Sequence, residues 1–127
     1  MTNLRELYHC TICGNVVEVV NTGAPSLVCC GIPMEKLTAG SKDASVEKHV
    51  PVFMVVDGGI NVKVGSAPHP MEEKHYIRFI EVLTKDQVLR AELVPNQAPE
   101  AFFLVKADDI VEVREYCTVH GLWNAGK

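Results

Sequence analysis

No apolar run in this chain approaches the ~20 residues that a membrane-crossing helix needs. The start, MTNLRELYHC, lacks the basic-then-apolar pattern of a secretion signal. The expectation is a cytoplasmic protein, in a compartment that keeps thiols reduced. There is no long block of like charge and no basic excess, since the formal net charge is -4. That argues against nucleic acid as the main partner, because phosphate binding calls for a basic face. MEEKH and KADD read as ordinary solvated surface. Internal repeats and low-complexity tracts are absent too. What is there, 127 residues with 47% hydrophobic content, makes one folded domain or one domain with a small satellite.

The five cysteines are odd in number, so disulfides cannot use them all. Cys29 and Cys30 are adjacent and bridge to each other only with strain. Metal ligation is the better reading in a reducing compartment.

Residues 1–37 hold four of those cysteines and little core material. A short strand is expected over Val16–Val20, ending in an Asn-Thr-Gly turn. So small a segment cannot bury enough apolar surface to fold alone, and a bound metal supplies the staple. The small, polar TAGSKDAS, residues 38–45, reads as a linker to a second domain spanning 38–127. Beyond it come VPVFMVV, a DGG turn, INVKVG, HYIRFIEVL, QVLRAELV, AFFLVKA and IVEVREY, broken by TKD and PNQAPE. Short β-branched and aromatic runs at regular spacing predict an antiparallel β-sandwich or barrel of about seven strands. The fold class is mainly β.

Cys10-x2-Cys13 with the Cys29-Cys30 pair is a strong four-thiolate signal. The turn CTICG brings two sulfurs to one point, Gly14 permitting the backbone twist, and CCG supplies the other two. Four thiolates imply tetrahedral zinc or iron. The contiguous second pair departs from the repeated C-x2-C of zinc ribbons, and one sulfur–metal–sulfur angle is expected to open there. Neither C-x2-C-x2-C nor C-x4-C-x2-C occurs, which argues against a multi-iron cluster.

A second donor set is more dispersed. His49, His69, His75 and His120 fall at expected strand ends or loops, with Cys117 beside His120. A sandwich clusters functional groups there. A three-ligand zinc site with two bystanders is the plain alternative. Five protein ligands instead favour a square pyramid with one free octahedral position, which suits ferrous iron. His9, next to Cys10, is expected to be exposed and to point away from the first set.

Through YHCTICGNVVEVVNTG, LVCCGIPM, EKHVPV, HPMEEKHYI, QAPEAFFLV and EYCTVHGLW the chain resembles the desulfoferrodoxin family, two-iron superoxide reductases, over nearly its whole length. The resemblance implies a desulforedoxin-like N-terminal domain with an Fe(Cys)4 centre on Cys10, Cys13, Cys29 and Cys30. It implies an immunoglobulin-like β-sandwich with an Fe(His)4Cys centre, His49, His69, His75 and His120 equatorial and Cys117 axial. The implied reaction is one-electron reduction of superoxide to hydrogen peroxide. Glu47 and Lys48 would act beside the second iron, the glutamate as sixth ligand to ferric iron and the lysine as an attractor for the anion. Rubredoxin is the implied kind of electron donor and a homodimer the implied assembly. The backbone N–H groups of Thr118 and Val119 are expected to bond the Cys117 sulfur. A zinc-stapled β-sandwich that binds a partner without chemistry is the competing reading.

Overall fold

The computed structural model describes residues 1–23, 25–40 and 45–126. Half of the expected linker, residues 41–44, lies outside the described residues. The chain divides into two compact units, Met1–Thr38 and Ala39–Lys127.

The first unit is built from very short strands: β1 (Leu7–His9), β2 (Val16–Glu18), β3 (Val28–Cys29), β4 (Ile32–Pro33) and β5 (Glu35–Lys36). They form a three-stranded sheet in the order β2-β1-β5 and a separate β3-β4 hairpin. Its buried apolar residues are few, Leu7, Cys10 and Val19. β2 stops at Glu18, short of the expected Val20. Past it, Val19 exchanges backbone bonds with Glu6 and Arg5 instead, and Arg5 holds a positive φ of 71° that breaks the ladder. Polar fastenings make up for part of the thin core. Glu6 accepts from Asn3 N–H and Tyr8 Oη and pairs with Lys36 at 2.9 Å. Thr2 Oγ1 both donates to the Gly23 carbonyl and accepts from its N–H.

His9 differs from the expectation. It lies on the central strand β1, opposite Glu35 of β5, with its side chain 26% exposed and Nδ1 3.9 Å from the Glu35 carboxylate. A cross-strand partner half-covers it, and only tertiary pairing reveals such a partner.

The second unit is an antiparallel sandwich. One sheet runs β10 (Glu100–Phe103), β7 (Gly59–Val64), β6 (Pro51–Val56); the other runs β12 (Gly121–Gly126), β11 (Ile110–Cys117), β8 (Ile77–Thr84), β9 (Val88–Glu92). Every paired strand is antiparallel. Among the described residues that makes seven strands, in line with the about seven the sequence pattern predicts, although β12 is not among the runs that announce themselves. Glycines at both ends and Asn124 mask it, and its register on β11, from Glu112–Gly126 to Cys117–Gly121, makes it a strand.

Alternation along β8 and β11 sorts the residues. Ile80, Val82, Val113 and Cys117 face the core, where they meet Ile60, Val62, Val64, Leu93, Phe103 and Ile110. On the opposite face Phe79 stacks on Tyr116 with centroids 5.7 Å apart. Beside them Arg114 Nε donates to Glu81 Oε1 at 2.7 Å, with both side chains buried. Among the described residues the one α-helical segment is a single turn, α1 (Val46–His49), just before β6. His49 therefore ends a helical turn rather than beginning a strand.

Candidate metal centres

The Cys10–Cys13 knuckle closes with Gly14 N–H donating to the Cys10 carbonyl at 3.0 Å and Gly14 at φ 86°. The contiguous pair is solved differently. Cys30 itself adopts a positive φ of 53°, a conformation L-residues rarely take, and this turns its sulfur toward its neighbour's. All four sulfurs lie within 4.8 Å of one another. Tetrahedral sulfurs on metal bonds of about 2.3 Å stand about 3.8 Å apart. The Cys13–Cys29 sulfur separation is 3.5 Å and that of the adjacent Cys29 and Cys30 is wider, 3.9 Å.

Electrostatics also fit a cation here. Backbone N–H groups of Cys13 and Ile12 hold the Cys10 thiol down to about 6. Hydrogen bonding to Cys13 and Cys10 pushes Cys30 up to about 12. The Cys10 thiolate is favoured and that of Cys30 strongly opposed, and a bound positive ion is what relieves that opposition.

At the sandwich, the five remaining donors come from four separate places: α1, the loop carrying His69, a tight turn before β8, and the turn joining β11 to β12. Backbone bonds between Glu72 and His75 in both directions fix the third of these. The imidazoles form a closed ring. His49 lies edge-on to His69 (centroids 4.6 Å) and to His120 (4.9 Å). His75 lies edge-on to the same two, at 4.9 and 5.0 Å. His49 is thus opposite His75, and His69 opposite His120.

Cis ligands on a square plane with metal–nitrogen bonds of about 2.1 Å stand about 3 Å apart. The His49 Nε2–His69 Nε2 and His49 Nε2–His120 Nδ1 separations are both 3.1 Å. The Cys117 sulfur is 3.8 Å from His120 Nδ1 and within 4.8 Å of every other donor. His75 Nε2 is buried with no hydrogen-bond partner among the described residues. A carbonyl accepts only, so His49 Nδ1 donates to the Ser45 carbonyl at 2.7 Å and His69 Nδ1 to that of Pro70 at 2.6 Å. Both rings then direct an unprotonated Nε2 inward. Burial lowers the pKa of His49, His69 (to about 4) and His75, keeping them in the neutral form that ligates metals.

Burial pushes the Cys117 thiol up, and N–H groups of His120 and Val119 oppose the rise. His120 N–H reaches the sulfur at 3.4 Å. The expected contribution of Thr118 is not made: its N–H donates to the Tyr76 carbonyl at 3.0 Å. The β8–β11 register slips between Tyr116 and Cys117, and the slip turns that N–H across to the neighbouring segment.

Glu47 and Lys48 are exposed on α1, immediately before buried His49. The Lys48 charge acts on both His49 and His75, opposing their protonation. Gly65 escapes a reading of motifs but fixes where α1 sits. A Cβ there, at φ +80°, would stand 2.5 Å from the Glu47 carbonyl and 2.7 Å from Lys48 backbone. Gly65 N–H donates to the Val50 carbonyl and Ala67 N–H to that of Glu47. Its position directly after the alternating β7 run was the only available sign.

The family description Desulfoferrodoxin matches residues 41–126, and that of its N-terminal domain matches residues 2–37. The desulfoferrodoxin of Desulfarculus baarsii is 52% identical, over 98% of both chains. That of Nitratidesulfovibrio vulgaris is 49% identical, again over 98% of both. Among solved structures, the superoxide reductase of Treponema pallidum is similar at TM-score 0.74 and 34% identity, covering 95% of this chain and 99% of that one. The superoxide reductase (1Fe-SOR) of Giardia intestinalis is similar at TM-score 0.53 and 29% identity, covering 64% of this chain and 97% of that one. With both family domains matched in order and each donor set gathered to one point, the chain belongs to the desulfoferrodoxin family.

Proposed function

We propose that the protein is a superoxide reductase. It reduces superoxide to hydrogen peroxide at the second centre and draws electrons from an external donor. The observation that carries this reading is the closed ring of four imidazoles joined by a single thiolate within 4.8 Å. Five donors exceed the four at which structural zinc closes, so a zinc-stapled module without chemistry leaves the ring unexplained. The two donor sets hold one iron each. Held by His49, His69, His75, His120 and Cys117, ferrous iron would supply the one electron that, with two protons, converts superoxide to hydrogen peroxide.

The protein's own groups do the rest. His49, His69, His75 and His120 are the nitrogen ligands, and carbonyl bonds fix the tautomer of the first two. Cys117 is the one anionic ligand and raises electron density at the metal; the N–H groups of His120 and Val119 moderate it. Lys48 offers a local positive field on a chain whose net charge is -4, which otherwise repels an anion. Glu47 is the reserve carboxylate ligand for the oxidised metal.

Cys10, Cys13, Cys29 and Cys30 would close the shell of an iron held there, leaving superoxide no open position at that centre. An iron held by those four thiolates would staple residues 1–37, with electron relay the other role open to it, while residues 38–127 form the catalytic domain. Family resemblance supports rubredoxin as donor, a homodimer as the assembly and the cytoplasm as the compartment. Among the described residues no helix is long and apolar enough to cross a membrane.

The test is stoichiometric. The reduced protein, mixed with superoxide, is expected to yield one peroxide per superoxide consumed. Half that yield, with dioxygen released, would mean dismutation and would refute the proposal.

A further inference from the structure

We propose that Trp123 and Thr118 are positioning residues of the second centre. They brace the Cys117–His120 turn on two sides, so that its sulfur and imidazole meet the rings of His49 and His75.

Trp123 is only 5% exposed and lies on β12, three residues beyond His120. Its Nε1–H donates to the His120 carbonyl at 3.1 Å. The same indole lies against His49, with centroids 5.0 Å apart and planes 30° apart. One stiff side chain therefore touches both the backbone that carries one ligand and the ring of another, from elements 71 residues apart in sequence.

Thr118 braces the other side. Its N–H donates to the Tyr76 carbonyl at 3.0 Å, and Tyr76 N–H donates to its Oγ1 at 3.1 Å. This two-bond clamp joins the residue after Cys117 to the residue after His75. The turn that supplies two donors is thus tied toward His49 by the indole and toward His75 by the clamp. Partners behind a ligand set fix its orientation, and their loss typically costs about 10- to 100-fold in metal affinity.

The inference rests on the second centre holding iron, and the experiment separates the two. On the full-length protein, iron release from the second centre to a ferrous chelator is followed in Trp123→Phe, Thr118→Val and Thr118→Ser, alongside the visible band of the ferric thiolate. Trp123→Phe keeps an aromatic face on His49 and removes the N–H. Thr118→Val removes the hydroxyl and keeps the shape, and Thr118→Ser restores the hydroxyl. Release about tenfold faster is expected in the first two, with a shifted band, and near wild-type behaviour in Thr118→Ser. Wild-type release in both Trp123→Phe and Thr118→Val, or equal acceleration in Thr118→Val and Thr118→Ser, would overturn the inference. Should Trp123→Phe fail to fold, the Thr118 pair decides. A wild-type protein without iron at the second centre would instead overturn the functional reading beneath it.

Discussion

Lys48→Ile removes a positive charge one residue from His49 while keeping an aliphatic side chain on α1. At about 6 Å from an incoming anion, a unit charge is worth about 0.7 kcal/mol in bulk water and about 3 kcal/mol at the effective dielectric near a protein surface. Those values bracket a loss of about threefold to about a hundredfold in the encounter rate. Lys48 is exposed on its helical turn, which places it toward the aqueous end. The expected loss is roughly tenfold, the low end of electrostatic steering. Pulse radiolysis of the reduced protein gives the second-order rate directly. The wild-type rate should fall as salt rises, and the variant rate should fall less, because the lost charge acts within a Debye length of about 8–10 Å. Lys48→Arg should restore most of the rate. An unchanged rate in Lys48→Ile, with unchanged salt dependence, would refute the steering role.

Glu47→Ala is expected to leave iron bound and the encounter rate nearly intact while shifting the ferric absorption band; an unaltered oxidised spectrum would remove Glu47 from the ferric ligand set. Cys13→Ser should loosen residues 1–37, seen as faster hydrogen exchange there, yet leave the second centre competent with an artificial reductant; total loss of activity would instead make the first iron an obligatory relay. Asn3 N–H, Lys36 and Tyr8 hold the Glu6 carboxyl down to about 2. Its stabilisation is therefore present above about pH 4.5 and fades as pH falls toward 2. The difference in melting temperature between wild type and Glu6→Gln should shrink over that window, and a constant difference would contradict the assignment.

What the sequence made legible follows from how local each signal is. β6 to β11 could be read because β-branched and aromatic runs bounded by turn residues carry their own strand preference. β12 could not, since Gly121, Asn124 and Gly126 have little preference and the strand exists through its pairing with β11. α1 is one turn long, too short for any helical period, so the backbone around His49 looked like the start of β6. Spacing alone showed that four thiolates could share one ion but left zinc and iron open. The long motifs around the ligands, as a family resemblance, tipped that choice.

The second donor set shows the limit most clearly. Its histidines were visible as residues at segment ends, but their order around the ring is set by tertiary packing. Thr118 illustrates the same point at smaller scale. Its place beside Cys117 suggested a bond to the sulfur, and a one-residue register slip sends that N–H to Tyr76. Gly65 packs against the backbone of Glu47 and Lys48, and Trp123 against the ring of His49, all distant in the chain, so no local pattern marks either contact.

Metal analysis of the purified protein, with a visible spectrum before and after ascorbate, tests the account at its base. Two donor sets predict about two irons per chain and thiolate-to-iron colour that ascorbate bleaches in the second centre's band. A colourless protein carrying zinc at the site of His49, His69, His75, Cys117 and His120 would contradict it.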